Sequence, residues 1–249
     1  MKKNLMSLLT LIGFVTIFAA CSSDNDDSNR IKSPIVGTWT LDSVVKGDQM
    51  QQSPVQLVWT KKEGVAEEDF TINLGFMPMP IDEKVTTLIE QFAGAMLETV
   101  LQSVTFHNDA NITAKYNEVT NDSENAKWVD SPKGLVSFSP MNETQIAVKL
   151  NIDAIVKEAE IADQSTIKLL NQFLSESIPV HYSINGEKLR CYVDLDFIGP
   201  KIDAIISVIK DLPEESLGSF GSIIQIIIPQ IPGLLENTDV FEIGLRLKK

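Results

Sequence analysis

Ile178-Pro179-Val180-His181-Tyr182-Ser183-Ile184, then Asn185-Gly186, then Glu187-Lys188-Leu189-Arg190-Cys191-Tyr192-Val193 is the stretch that decides the fold class. Two runs that alternate apolar and polar residues flank an Asn-Gly pair, and both of those residues tolerate the positive φ of a type I′ turn. The stretch therefore reads as a β-hairpin over 178–198. Its register sets Tyr182 opposite Leu189, Val180 opposite Cys191 and Ile178 opposite Val193. The other face then pairs His181 with Arg190 and Ser183 with Lys188. One face is apolar and the other polar, as a half-buried antiparallel sheet requires.

The same period-two reading extends outward from the hairpin. Short strands are predicted over 35–44, 56–60, 69–74, 103–107, 112–116, 127–130, 134–139 and 144–151, with a final strand over 240–247. In that last strand Phe241, Ile243, Leu245 and Leu247 point inward and close the sheet against the first. The proline-bearing run Gly75-Phe76-Met77-Pro78-Met79-Pro80 should end a strand. Helical spacing appears in two places. Asp82 reads as an N-cap before Val85, Leu88, Ile89, Phe92, Met96, Leu97, Val100 and Leu101. Asp153 reads as the cap of a second helix, with a break near Asp163. A short helix is expected over 202–209. The run Ile223-Ile224-Gln225-Ile226-Ile227-Ile228-Pro229-Gln230-Ile231-Pro232 is apolar all round, too short to span a bilayer and interrupted by proline. It is expected to be a buried, kinked helix that lines or fills the open end of the sheet. The fold class is mainly β with inserted helices (α+β): an antiparallel barrel or half-barrel meander with two to four helices.

Two segments carry a resemblance. Ile35-Val36-Gly37-Thr38-Trp39-Thr40-Leu41 resembles the first strand of lipocalin-like domains, including Bacteroidetes lipoproteins of unknown function. The hairpin over 103–116, an aromatic strand, an Asn/Asp turn and an Ile-Thr-Ala strand, is similar as well. The resemblance implies that Gly37 lets the strand bend and that Trp39 plugs one barrel end.

The first twenty residues have the parts of a secretory signal: Lys2 and Lys3, an apolar run from Leu5 to Phe18, and small Ala19 and Ala20 before Cys21. The run is 14 residues long, and a spanning helix needs roughly 20. Phe18-Ala19-Ala20-Cys21 resembles a bacterial lipobox, which implies cleavage before Cys21 and acylation of its thiol and new amino group. Two or three acyl chains anchor stably where one does not. Residues 1–20 are thus read as a lipoprotein signal peptide, 21–33 as an acidic flexible tether, and 34–249 as a single domain. Ser22-Ser23-Asp24-Asn25-Asp26-Asp27-Ser28-Asn29 holds no apolar residue and cannot offset its own ordering entropy. Its acidity after the cysteine resembles the export signal of surface lipoproteins. The expected location is the cell envelope, at the outer membrane through the lipid anchor and facing either the periplasm or the medium.

Composition narrows the function. Without the two signal-peptide lysines, 19 basic residues stand against 34 acidic ones, a formal charge of −15. Such a domain repels phosphate backbones, so nucleic acid is not an expected partner. Once Cys21 is lipidated, Cys191 is alone, on the apolar hairpin face, and acts as a small hydrophobe. His107 and His181 fall in no metal-ligand spacing, Gly-x-Ser-x-Gly is absent, and no phosphate or dinucleotide loop occurs. Asp194 and Asp196, at i and i+2, are read as partners of Arg190. No catalytic residue, metal or cofactor is expected, and the protein is not read as an enzyme. The leading reading is a binding protein that encloses a small hydrophobic or amphipathic molecule in a barrel cavity lined by Trp39, Phe92, Met96, Ile224, Ile227 and Ile228. The alternative is a non-catalytic structural or accessory interaction protein of the outer membrane or cell surface. Fold alone does not choose between them.

The anchor is testable directly. Cys21→Ala should release the protein from membranes or leave an uncleaved precursor on a gel. A mature-sized variant that still sediments with membranes would contradict the lipoprotein reading.

Overall fold

The computed structural model describes residues 31–47, 49–73, 77–118, 126–159, 161, 164–203, 206 and 225–249. The signal, Cys21, most of the tether, Ile224 and most of the helix expected over 202–209 lie outside these residues. The fold is mainly β and antiparallel, with inserted helices, and it is not a closed barrel. In the main sheet the order is β10 (Val136–Pro140), β11 (Gln145–Leu150), β12 (Ile178–Asn185), β13 (Lys188–Asp194), β14 (Thr238–Lys248), β1 (Gly37–Leu41), β7 (Leu101–Phe106), β8 (Ile112–Asn117) and β9 (Trp128–Asp130). A tenth strand, β4 (Val55–Lys61), branches from β14. Two ribbons lie outside this sheet: β2 (Val44–Lys46) with β3 (Gln49–Gln52), and β5 (Thr71–Asn73) with β6 (Pro78–Pro80). The prolines of β6 are thus accommodated in a two-stranded edge pair, not excluded from pairing.

The deciding hairpin forms, with its register moved by two. Tyr182 stands opposite Cys191, His181 opposite Tyr192 and Ser183 opposite Arg190, and Asn185 pairs with Lys188. The turn is therefore Gly186-Glu187. Gly186 has φ +61° and is the only residue of the turn with positive φ. A II′ turn places its strain on glycine alone, whereas the expected I′ turn would also have forced Asn185 into the left-handed region. A shift by two preserves the parity, so the faces are as expected. Tyr182 and Cys191 are buried, while His181 and Arg190 are half-buried on the other face. Strand β13 stops at Asp194 rather than continuing to Ile198. Asp194 accepts from the Phe197 amide at 3.2 Å and caps the short helix α4 (Leu195–Ile198).

The helices arise from the predicted spacing with one change of cap. Asp82 accepts from the amides of Lys84 and Val85 at 2.9 Å and starts α1 (Glu83–Val100). Asn151, not Asp153, caps α2 (Ile152–Glu158), because its side chain reaches the Ala154 amide at 3.1 Å. The expected break separates α2 from α3 (Gln164–Leu174). The Ile-rich run is only partly covered. Leu234 and Leu235 of α5 (Ile231–Glu236) are buried and Ile227 is partly buried, but Ile226 is 41% exposed. The apolar run thus buries one side, not its whole circumference.

Two apolar clusters share one face of the sheet, and β14 connects them. Its Leu245 and Leu247 are fully buried with Trp39, Phe106, Ile146, Val148, Ile178 and Val180. Its Phe241 packs with Trp59, Phe70, Leu234 and Leu235, and Ile243 touches both groups. Trp59 meets the edges of Phe70 and Phe241 at centroid distances of 5.9 and 5.2 Å. Its indole N–H donates to Thr238 Oγ1, which donates in turn to the Leu234 carbonyl, both at 2.8 Å, tying α5 to the sheet. At about 1.5–3 kcal/mol for each fully buried large apolar side chain, this face dominates the stability.

On its other edge the main sheet curls until its ends touch at one corner. Asn111 bridges Ser137, and the Phe138 amide donates to the Ala110 carbonyl at 2.7 Å. Side chains continue the seam: Asn111 accepts from the Gly134 amide at 2.9 Å, and Asn151 donates to the Gly134 carbonyl at 3.1 Å. No ladder joins β10 to β8 beyond this corner.

The branch occurs at Arg246. Its amide donates to Pro54 of the β4 side at 2.7 Å, and its carbonyl accepts from Asp42 of the β1 side at 2.9 Å. Its guanidinium donates to the carbonyls of Ser53 and Val55 at 3.0 and 3.1 Å and pairs with Glu90 at 3.3 Å. Asp42 is 5% exposed. Its carboxylate takes the Lys188 and Lys248 ammonium groups at 2.9 and 3.3 Å, and its carbonyl takes the Gln52 amide at 2.8 Å. Burial works against the charged carboxylate, but the hydrogen bonds from Lys188, Lys248 and Gln52 outweigh it and hold its pKa below the usual carboxylate range.

Asp42→Asn should therefore lower stability near neutral pH by about 1–3 kcal/mol, the scale of hydrogen bonds to a charged group. A depressed carboxyl pKa stabilises the fold above the unfolded value of about 3.9 and ceases to do so as pH falls through the folded value. The gap between wild type and variant in urea midpoints should thus close under acid. A gap independent of pH would refute the role of the charge. Packing against β4 gives a second test. A Cβ on Gly94 of α1 would lie 2.3 Å from Ser53 Oγ. That hydroxyl is fixed between the Glu90 carbonyl (2.6 Å) and the Val55 amide (3.0 Å). Gly94→Ala should lower stability by about 1–3 kcal/mol despite alanine's better helix propensity, a sign that thermal melts resolve.

Candidate functional site

The polar face of the hairpin ends in a cleft of about 420 Å³. Strand β11 supplies Gln145, β12 supplies Pro179 and His181, and β13 ends there with Asp194. Helix α4 adds Asp196 and Phe197, and Pro200 and Lys201 follow. Glu176 and Ser177, from the link between α3 and β12, form the remaining wall.

The observed register builds the centre of this cleft. With His181 opposite Tyr192, the imidazole is diagonal to Asp194, and His181 Nε2 lies 2.9 Å from Asp194 Oδ2. Gln145, opposite His181 on the other side, approaches the same nitrogen at 3.3 Å. Asp194 is itself immobilised because its other oxygen caps α4. The His181 ring stacks on Tyr192 with centroids 5.1 Å apart and planes at 17°. The Arg190 guanidinium lies over Tyr192, 4.1 Å from its centroid, donates to Gln56 at 2.7 Å and pairs with Glu242. Burial raises the Tyr192 pKa, and the Glu242 and Asp194 charges add to that against Arg190. Tyr192 is a neutral phenol at physiological pH. Both Asp194 and His181 are more than a quarter exposed, so their contact adds only about 0–1 kcal/mol and serves to orient the ring.

The outer wall is mixed in character. Lys201 pairs with Glu176 at 3.1 Å and lies 5.2 Å from the Phe197 ring centroid. Phe197, Pro179 and Pro200 give apolar surface, and Gln145, His181, Asp194, Asp196 and Lys201 give donors and acceptors. The lining thus offers apolar surface and hydrogen-bonding groups side by side. Among the described residues, the polar partners of His181 are Asp194 and Gln145. No group of three or more His, Cys, Asp or Glu among them is placed to hold a metal ion.

The expected ligand-binding residues do not come together here. Trp39 is fully buried in the first cluster, its indole N–H donating to the Ile35 carbonyl at 2.7 Å. Phe92 and Met96 are 39% and 38% exposed on α1. Ile227 and Ile228 are half-buried, Ile227 against the second cluster, and Ile224 lies outside the described residues. The expected partners of Arg190 are corrected too: it pairs with Glu242, Asp194 binds His181, and Asp196 has left the strand. His107 is half-buried against Thr113 Oγ1 at 2.8 Å, with its pKa lowered by burial and by Lys133 against Asp109. Cys191 is a free, fully buried thiol whose pKa is pushed up by desolvation, which leaves it unreactive.

Sequence reasoning missed the His181–Asp194 contact through the turn. Placing the II′ glycine first would have moved the register by two and exposed the diagonal. Among the described residues no helix is long and apolar enough to cross a membrane. No protein-family model, no curated protein and no solved structure matches the chain.

Proposed function

We propose that the protein is a non-catalytic, lipid-anchored binding protein of the cell envelope, and that it takes a small amphipathic ligand in the cleft beside His181. The observation that carries this reading is the cleft itself, whose volume of about 420 Å³ lies within the ordinary range for ligand pockets, roughly 300–1,000 Å³. Its polar groups are oriented before any ligand arrives, because Asp194 is fixed by α4 and His181 by Asp194 and the Tyr192 ring. The concave face of the sheet is a less favourable place for a ligand, since Trp39, Phe106 and Ile146 already occupy it. Anchoring at Cys21 and outer-membrane residence belong to the same proposal and rest on the lipobox and acidic tether. A lipocalin-like kinship is part of it as well. It is supported by Gly37, whose φ of +137° only glycine adopts easily, and by the buried Trp39. The second reading, an accessory interaction protein of the outer membrane or cell surface, draws on the exposed apolar residues of α1.

Native mass spectrometry of the chain purified from its own membranes tests the cleft. Wild type should carry a small molecule, and His181→Ala combined with Phe197→Ala should reduce its occupancy at least tenfold, about 1.4 kcal/mol. Phe92→Ala should leave it unchanged. Retention by the cleft variant, or an empty wild type, would overturn the reading.

A further inference from the structure

Charge is unevenly distributed in the cleft beside His181. Three carboxylates line it, those of Glu176, Asp194 and Asp196, against the single ammonium of Lys201. That ammonium is already engaged: Glu176 binds it at 3.1 Å, and the Phe197 ring centroid lies 5.2 Å from it. Asp194 is engaged as well, by His181 at 2.9 Å and by the Phe197 amide at 3.2 Å. Asp196 is the carboxylate left over. It is exposed, and it has no hydrogen-bond or ion-pair partner among the described residues. Arg190, on the same sheet face, lies over Tyr192 and is bound by Gln56 and Glu242, groups that do not line the cleft.

Taking the cleft as the ligand site argued above, we propose that it selects for positive charge and that its occupant is an amphipathic amine. The charged nitrogen sits at Asp196, and the apolar part lies on Phe197, Pro179 and Pro200. An anion entering the cleft meets three like charges, and the one ammonium that could receive it would first have to leave Glu176. A neutral molecule gains the apolar wall and leaves the Asp196 carboxylate to water. A cation gains both. The aromatic ring acts in the same direction, because its negative face attracts a cation within about 6 Å, and Phe197 already receives the one on Lys201. A recess lined mainly by one sign of charge, between apolar walls, also focuses the field and concentrates ions of the opposite sign. The formal charge of −13 on the chain extends that attraction outward.

Three probes with the same aromatic part separate charge from apolar contact: phenethylammonium, phenethyl alcohol and hydrocinnamate, the last an anion. Their affinities are measured by calorimetry at neutral pH on the full chain in detergent, after any co-purifying molecule has been dialysed away. Wild type should bind the ammonium at least fivefold tighter than the alcohol and at least tenfold tighter than the carboxylate. Asp196→Asn, a change on an exposed side chain that leaves the fold intact, should bring the ammonium to within about twofold of the alcohol and leave the alcohol unchanged. Glu176→Gln frees Lys201 and should tighten hydrocinnamate threefold or more. An alcohol or carboxylate that binds as tightly as the ammonium, or an ammonium that does not bind, overturns the selection for positive charge. A preference that survives Asp196→Asn overturns the role of Asp196. Whether the cleft holds a ligand at all is decided separately, by the occupancy that His181→Ala with Phe197→Ala removes.

Discussion

Arg246 gives its amide to one strand and its carbonyl to another, and the architecture follows from that division. A strand has two hydrogen-bonding edges, and β14 pairs along one of them with β13, from Glu242 to Lys248. Along its other edge, β4 occupies Thr238 to Leu245, and β1 takes over at Leu247 and Lys248. Two strands competing for one edge must diverge, and the divergence opens a gap of unpaired backbone. Arg246 fills that gap with its guanidinium, and Asp42 neutralises the lysines that converge on it. The far edge of β4 would still be open, and α1 covers it, with Glu90 accepting the Leu57 amide at 2.7 Å. Edges left uncovered are templates for aggregation. The helix is thus required by the branch, and its close approach at Gly94 is required by the helix.

The outer face of β13 and β14 would be unfavourable if read pair by pair. Arg190 stands opposite Arg246, and Asp194 opposite Glu242. Like charges directly opposite destabilise a sheet. Each is relieved by a different neighbour: Arg190 by Glu242, four residues along β14 past Gly244, Arg246 by Glu90, and Asp194 by His181. The cleft therefore shares its groups with the scaffold. His181 is oriented by Asp194, which meets its Nε2 at 2.9 Å.

Much of the scaffold was legible from periodicity. Most strands of the main sheet, and α1, lie where alternation and helical spacing put them, because burial on one face is the strongest constraint a sequence carries. The small ribbon β2–β3 and the strand β6, which bury little, were not foreseen. The hairpin faces were right even though its register was not, since parity survives a shift of two. What periodicity could not reveal was which apolar positions face the interior. Leu88, Phe92 and Met96 fit an amphipathic stripe as well as Val85, Leu97 and Val100 do, and only packing against β4 decides between the two faces. The cleft was hidden for a different reason. Its walls come from Gln145, Glu176, His181, Asp194 and Lys201, whose proximity depends on the strand order and on a turn type.

The seam at Asn111 and Gly134 bears on dynamics. Where β13 meets β14, seven residue pairs are joined in a continuous ladder. At the seam one bridge and a few side-chain bonds hold the sheet ends together. So few bonds open more readily than a seven-pair ladder, and the edge contact of Phe106 with Phe138 at 5.4 Å is the main apolar packing that holds the corner. Amide protons on either side of the seam then exchange with solvent through a local fluctuation, while those between β13 and β14 wait for the whole domain to unfold. The molecule breathes at its seam.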